Sequence, residues 1–442
     1  MSRKQHFIQE LANAFIVSDW TVDDLLRQLT ISLDYQPAWG KPLLTSIHQH
    51  FKNDFPNIKR DQLARFIAEH SLFEAIWKKQ HHSLIIRSYC LDAPASLPTI
   101  LKCDVPLFKN TKELAYWLSL DSLPLPLNRL EGFADTHGLE RKSALPHQRH
   151  YYYIWKKKRN GTARLLESPK SNLRAIQRQI NIQILQKIPL HSACHGFRKN
   201  HSCLTFVQVH CNKRVVIRMD LQRFFTSISL RRIHSIFETI GYNTEVARLL
   251  AGLCTNQTPH DVLQANPKLS YQERKLYSTP HLPQGAPCSP ALANLSAYKL
   301  DVRLSALMKK MGGDYTRYAD DLAFSGDFSQ TTIQRLHAFI YHIVMDEGFS
   351  MNTRKTRIMH HGSRQQLTGL ILNQHANYPR YKYDQLKAIL YNCVRFGAAS
   401  QNKEKQEDFK AHLQGRITYV KSINPQRAVR LQGLFADIDW DS

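Results

Sequence analysis

Three aspartates in this chain stand where carboxylates could hold metal ions for phosphoryl chemistry. Asp320 and Asp321 lie in Tyr318-Ala319-Asp320-Asp321, between Asp314-Tyr315-Thr316-Arg317 and Leu322-Ala323-Phe324-Ser325-Gly326. Both flanks are rich in strand formers and end in turn residues, which predicts a hairpin with the acids at its tip. Adjacent carboxylates repel and add nothing to packing. A pair of divalent cations would account for them; a solvated turn is the plainer reading. The third acid, Asp220, ends the apolar run Val215-Val216-Ile217-Arg218-Met219, which reads as a buried strand delivering one carboxylate at its end. Two-metal nucleotidyl transfer takes carboxylates from separate elements to hold two Mg²⁺ ions about 3.5–4 Å apart. Mg²⁺ keeps waters and substrate phosphates as ligands, so two or three protein carboxylates suffice.

Other residues fit the same chemistry. Lys156-Lys157-Lys158-Arg159-Asn160-Gly161 reads as a strand followed by a hairpin turn, with Arg164 beginning the return strand. These groups could clamp a triphosphate, Arg bidentately, or form a solvated basic turn. Gln284-Gly285 precedes a helix start with Ser289 as the expected N-cap and Pro290 at the first position. Gly285 permits close backbone approach to a nucleotide; an ordinary loop and cap is the alternative. Phe224 and Phe225 follow Asp220, and alternation along an extended segment would put them on opposite faces, so that only one need be core.

The order of these blocks resembles bacterial reverse transcriptases, and within them the retron type, from about Tyr151 to the C-terminus. Tyr153-Ile154-Trp155-Lys156-Lys157-Lys158 through Arg164 and Ser168-Pro169 is similar to the family's first fingers block. His195-Gly196-Phe197-Arg198 with Ser202 is similar to the second, and Asp220 through Phe225 to the palm strand. Leu282-Pro283-Gln284-Gly285-Ala286-Pro287-Cys288-Ser289-Pro290 resembles the nucleotide-binding loop and helix. Tyr315 through Leu322 resembles the catalytic hairpin, and Gly348-Phe349-Ser350-Met351-Asn352 with Lys355-Thr356 the block after it.

The resemblance implies an α+β right-hand polymerase fold: fingers, a palm with an antiparallel sheet, and a helical thumb. It implies that Asp220, Asp320 and Asp321 are catalytic and hold Mg²⁺. Lys157, Arg164 and Gln284 would position the dNTP, and Phe225 would block a ribose 2′-hydroxyl. Lys355 is a candidate general acid for pyrophosphate. The implied template and primer is a structured non-coding RNA, primed from an internal 2′-hydroxyl to give branched RNA-linked single-stranded DNA (msDNA). An RNA–DNA hybrid would be held, and antiphage defence with a separate effector protein would be the role.

Two positions depart from the retron pattern. Asn-Ala-x-x-His is here Phe206-Val207-Gln208-Val209-His210, and Val-Thr-Gly is Leu367-Thr368-Gly369. In the family both elements are associated with RNA recognition, which makes His210, Thr368 and Gly369 candidates for it. A defence reverse transcriptase with other priming, an intron-type maturase and a non-enzymatic RNA scaffold are the competing readings. Retention of all three acids and Phe225 opposes the last.

The supporting elements agree with a nucleic-acid enzyme. The formal net charge is +24 over 442 residues, which favours polyanion binding. Basic residues cluster at 156–159, 174–178, 231–232 and 354–364. Tyr151, Tyr152, Tyr153 and Trp155 could stack bases or form core. No apolar signal core or bilayer-length run is present, which predicts a cytoplasmic protein. Eight cysteines lack a disulfide-like pattern; Cys194, His195, His201, Cys203, His210 and Cys211 crowd together, but their spacing fits no familiar zinc finger, and reduced thiols are the better reading.

Residues 1–106 form a predicted N-terminal helical extension, with Phe7, Leu11 and Phe15, then Leu63, Phe66, Ile67, Phe73, Ile76 and Trp77, at helical spacing. Prolines 94, 98 and 106 mark a linker-like stretch at its end. Residues 107–150 are a helical lead-in, opened by Asn110 with Glu113 as a capping box. Residues 151–369 would be fingers and palm, interrupted at 256–281 by a polar, turn-rich segment expected to be a surface loop. Residues 370–442 would be a helical thumb. Its stripes are Leu386, Ile389, Leu390, Cys393 and Val394, then Phe409, Leu413, Ile417 and Val420; Arg416, Lys421, Arg427 and Arg430 lie along it, suited to a duplex backbone.

Overall fold

The structure, a computed structural model, describes residues 3–16, 20–51, 58, 60–86, 104–119, 125–142, 145–157, 161 and 163–440. The prolines at 94 and 98 and the turn residues Lys158, Arg159 and Asn160 lie outside the described residues. The chain divides into two compact units: residues 1–191, 221–304 and 335–352, and residues 192–220, 305–334 and 353–442.

In the first unit, helices Arg3–Ile16, Val22–Leu33, Gly40–Phe51, Arg60–Glu69 and Ser71–Gln80 share one core. Phe7, Leu11 and Phe15 are buried in it with Leu63, Ile67, Phe73 and Ile76; Phe66 and Trp77 pack at its margin. Asn110 caps Thr111–Trp117 by accepting from the Glu113 N–H at 3.0 Å. The Glu113 carboxylate reaches back to the Lys109 N–H (2.7 Å) instead of to Asn110, so the reciprocal half of the box is displaced by one residue.

Strand β1 (Tyr151–Lys157) pairs antiparallel with β2 (Ala163–Pro169), placing Lys156 opposite Arg164 and Lys157 opposite Ala163. The segment 256–281 lies largely at the surface, as expected, but it is not a loop. It contains helices His260–Gln264 and Tyr271–Ser278, and its two ends pair through Asn256 and His281. Three of its polar residues, Asn256, Thr258 and His281, are turned inward onto Glu167 of β2, which is fully buried, while most of the others face solvent. Asn256 Nδ2 and Thr258 Oγ1 each donate to Oε1 at 2.8 Å, and His281 Nε2 meets Oε2 at 2.9 Å. A buried carboxylate is tolerated when its lone pairs are filled in this way. Trp155 donates its indole N–H to the Val262 carbonyl, and Tyr153 and Trp155 pack with Leu165, Leu263 and Tyr277. With Tyr151 also buried, only Tyr152 of the aromatic run faces outward.

Two further expectations change. Residues 222–227 form consecutive turns, not an extended segment, with Arg223 left-handed (φ 54°). Phe224 is nevertheless core, tilted against Phe349, and Phe225 is half-buried. Arg232, counted among the basic clusters, is 2% exposed; it donates to the carbonyls of Glu347 and Ser296 and stacks over Phe349. It serves packing, not a polyanion.

The second unit is built on a four-stranded antiparallel sheet of β3 (Val215–Asp220), β4 (Asp314–Tyr318), β5 (Asp321–Gly326) and β6 (Arg357–His360), in the order β4-β5-β3-β6. Helix Cys203–Gln208 lies behind it, with Phe206 and Val207 packed against Val216 and Ala323. A small hairpin of β7 (Gln366–Leu367) and β8 (Leu370–Ile371) follows. Helices Arg380–Phe396, Phe409–Ile423 and Pro425–Ala436 then close a core of Leu386, Leu390, Cys393, Leu413, Ile417, Val420, Ala428 and Leu431. Ile389 and Phe409 pack at its edge, whereas Val394 is 40% exposed and leaves the predicted stripe. Among the described residues no helix is long and apolar enough to cross a membrane.

Candidate active site

The predicted hairpin forms with a two-residue loop. Tyr318 pairs with Asp321, leaving Ala319 and Asp320 at the tip. β3 lies on the other side of β5 in a register that sets Asp220 directly opposite Asp321. The unit therefore brings all three acids to one end of the sheet. Like charges facing across strands destabilise the pair, and two cations offset them. Arg218, the single charge inside the apolar β3 run, grips Asp321 in a fork: Nε and Nη2 to Oδ1 at 2.9 and 2.7 Å, Nη2 to Oδ2 at 3.0 Å. Lys355, from the turn Thr353–Lys355, donates Nζ to both oxygens of Asp220 at 2.9 and 2.7 Å.

Burial, with Asp220 and Asp321 adding repulsion, holds the Asp320 carboxyl above the usual carboxylate range. Burial also raises Asp321, against the opposing pull of Arg218. A cluster of hard carboxylate oxygens whose charge already draws in two side-chain cations suits divalent ions. Among the described residues, the trio of His, Cys, Asp or Glu ligand atoms all within 4.8 Å of one another lies elsewhere.

The tip is held from behind. Ala319 is left-handed (φ 57°), a conformation that costs a non-glycine residue about 1–2 kcal/mol. Arg317, fully buried, donates Nη1 to the Ala319 carbonyl at 3.1 Å. The segment 193–195 runs alongside β4, exchanging Arg317 N to Ala193 O (2.7 Å) and His195 N to Arg317 O (2.8 Å). Gly196 follows, and a Cβ there would come within 2.4 Å of the Ala319 nitrogen.

His210 is fully buried behind the same hairpin, bridging Thr316 of β4 (Nε2, 2.7 Å) and Ser325 of β5 (Nδ1, 2.7 Å). Thr316 gives its own proton to the Phe206 carbonyl, so it accepts from Nε2–H, and Nδ1 accepts from Ser325. Thr368 and Gly369 form the loop joining β7 to β8, with both φ positive (44° and 87°), as a two-residue hairpin requires.

Burial pushes His210 down to about 3. Between pH 6.5 and 3 the unfolded chain takes up a proton on this ring that the folded chain refuses. Stability conferred by His210 is therefore full above pH 6.5 and falls with acidification, by up to about 1.4 kcal/mol per pH unit. In urea unfolding from pH 4 to 6, His210→Gln is expected to flatten this slope. It should also lower stability by about 1–3 kcal/mol, because Thr316 and Ser325 lose their partner. An unchanged slope would rule out a buried neutral imidazole as its source.

The other predicted residues sit in the first unit. Lys157 and Arg164 are exposed on β1 and β2, and the facing of Lys156 by Arg164 concentrates positive charge there. Gln284 accepts the Glu167 N–H with its backbone carbonyl (2.8 Å); its side-chain Oε1 is buried and meets no donor among the described residues. Gly285 is required by the protein itself: φ is +129°, and a Cβ would stand 3.0 Å from the Glu167 carbonyl. Ser289 is not the N-cap. Cys288 already has helical dihedrals, so the turn begins one residue earlier, and the Ser289 hydroxyl donates to Pro283 O at 2.6 Å.

Sequence reasoning missed Arg218, Arg317 and Gly196 as supports of the tip. Arg218 alone carried a signal, as the one charge in a run otherwise fit for a buried strand.

A carboxylate-tipped hairpin beside a central strand, on an antiparallel sheet, has the architecture of a polymerase palm. The chain belongs to the reverse transcriptase (RNA-dependent DNA polymerase) family, which matches residues 155–404. The likeness is to its retron type. The chain is 37% identical over 287 residues to the retron Mx65 reverse transcriptase of Myxococcus xanthus, covering 64% of each chain. It is 34% identical over 293 residues to the retron Mx162 reverse transcriptase of the same organism (63% of this chain, 59% of that one). With the retron Ec86 reverse transcriptase of Escherichia coli the identity is 28% over 281 residues (63% and 78%). The chain thus spans about three fifths of the length of the first two relatives.

Proposed function

We propose that this chain is an RNA-directed DNA polymerase of retron type. It would copy a structured non-coding RNA, starting from a 2′-hydroxyl within it, into branched RNA-linked single-stranded DNA in the cytoplasm, for antiphage defence with a separate effector protein. The observation that carries the reading is the register that faces Asp220 with Asp321, with Asp320 at the turn, in a chain of this family.

In this reading residues 151–369 are fingers and palm and residues 370–442 the thumb; residues 1–106 and 107–150 are an added helical extension and lead-in. Asp220, Asp320 and Asp321 hold Mg²⁺, which when bound acidifies the attacking hydroxyl and offsets charge on the transferring phosphate. Arg218 keeps Asp321 oriented, and Lys355 holds a proton beside Asp220, where it can serve the departing pyrophosphate. Lys157 and Arg164 grip the triphosphate, Gln284 orients the nucleotide, and Phe225 closes the space a ribose 2′-hydroxyl would need. Of the thumb cations, Lys421 and Arg430 face outward and suit a duplex backbone, whereas Arg427 is spent internally on Tyr378 and Tyr383. His210 acts on the hairpin and not on RNA, because its ring is enclosed by protein hydroxyls. Thr368 and Gly369 shape a tight turn that RNA could approach.

Expression from the native locus, with sequencing of copurifying nucleic acid, tests this. A short, defined single-stranded DNA joined to RNA is expected. Long, repetitive or protein-linked DNA would instead make the chain a defence reverse transcriptase of another kind.

A further inference from the structure

Helices Arg3–Ile16 and Gln330–Asp346 each carry a histidine and a carboxylate four residues apart: His6 with Glu10, and His342 with Asp346. That spacing puts both side chains on one helix face. The two faces meet within the first unit. The His6 and His342 rings lie edge to face with centroids 5.6 Å apart. One ligand atom each from His6, Glu10 and Asp346 all lie within 4.8 Å of one another.

We propose that His6, Glu10 and Asp346 form a second metal site, separate from the three aspartates at the hairpin, that takes a zinc-class cation and fastens the N-terminal helix to helix Gln330–Asp346. One imidazole nitrogen with two carboxylate oxygens is a borderline donor set that prefers Zn²⁺ or Co²⁺ to Mg²⁺. Glu10 is 3% exposed, on a helix face otherwise given to Phe7, Leu11 and Ala14, so its carboxylate stands in a largely enclosed place where a cation would be weakly hydrated. Arg303 supports the site from outside, donating Nη2 to Asp346 Oδ2 at 2.9 Å and Nη1 to Glu347 at 2.7 Å. Hydrogen bonds of this kind commonly orient a ligating carboxylate. His342 lies outside the 4.8 Å group and is not counted as a ligand. The alternative is a hydrogen-bonded histidine–carboxylate cluster that locks the helices without metal.

Co²⁺ titration of the full chain carrying Asp220→Asn, Asp320→Asn and Asp321→Asn separates the two, because the hairpin acids can no longer bind. One equivalent of Co²⁺ should produce visible absorption bands that Zn²⁺ abolishes and excess Mg²⁺ does not. Adding His6→Ala should weaken Co²⁺ affinity at least tenfold. Asp346→Asn, nearly isosteric and still able to accept from Arg303, should do the same and gives the reading if His6→Ala fails to fold. Absence of the bands in the triple variant, or unchanged affinity in the folded fourth substitution, overturns the proposal.

Discussion

Asp320→Asn is expected to lower DNA synthesis on a primed RNA template by about three to four orders of magnitude, while RNA affinity stays within about twofold. Removing a group that stabilises transition-state charge typically costs several kcal/mol, and each 1.36 kcal/mol is tenfold in rate. Asparagine keeps the size and hydrogen-bonding reach of the side chain at the hairpin tip but carries no charge to hold a metal. It also ends the repulsion from Asp220 and Asp321 that, with burial, raises the Asp320 carboxyl in the wild type. The variant should therefore be at least as stable as the parent to heat. Loss of activity with unchanged or raised Tm identifies a site whose charges are kept for chemistry at the expense of stability. Activity within tenfold of wild type would sink the assignment, and a lowered Tm would show that the aspartate is structural.

Gly196→Ala should reduce kcat about a hundredfold with little change in KM for dNTP. The added methyl would stand 2.4 Å from the Ala319 nitrogen and 3.1 Å from the Tyr318 carbonyl carbon. Both are backbone atoms, so no side chain can swing aside, and the hairpin tip or the segment 193–196 must shift toward van der Waals distance. Misplacement of a reacting group by about 1 Å can cost that much in rate, and overpacking of this kind costs about 1–3 kcal/mol in stability. Gly362→Ala is the control: a Cβ there meets nothing within 4 Å, and its activity should match the parent's. Full kcat in Gly196→Ala would show that the segment does not set the position of Asp320.

The hairpin and its acids were legible because both flanks carry strand formers and the acids fall between them. β3 was legible because its apolar run is short and ends at Asp220. Their supports were not, since Gly196 and Arg317 act on the tip through backbone geometry that no local pattern encodes. The segment 256–281 misled for a related reason. Asn256, Thr258 and His281 look like surface residues until Glu167, 89 to 114 residues earlier in the chain, supplies the partner that buries them. Ser289 and Pro290 suggested a helix start correctly, but Cys288, with helical dihedrals of its own, moves it one residue earlier. Arg232 counted as surface charge only because its three partners, Glu347, Ser296 and Phe349, are remote in sequence.

The sheet order also sets a hazard during synthesis. β3 is the third strand in the chain but sits between β5 and β6, which leave the ribosome a hundred or more residues later. At about 5–20 residues per second, its two edges wait unpaired for roughly 5–30 s. A Val-Val-Ile run with free edges is a template for intermolecular pairing. Arg218 interrupts that run with a charge before its partner Asp321 exists, which is expected to discourage such pairing until the fork to Asp321 can form.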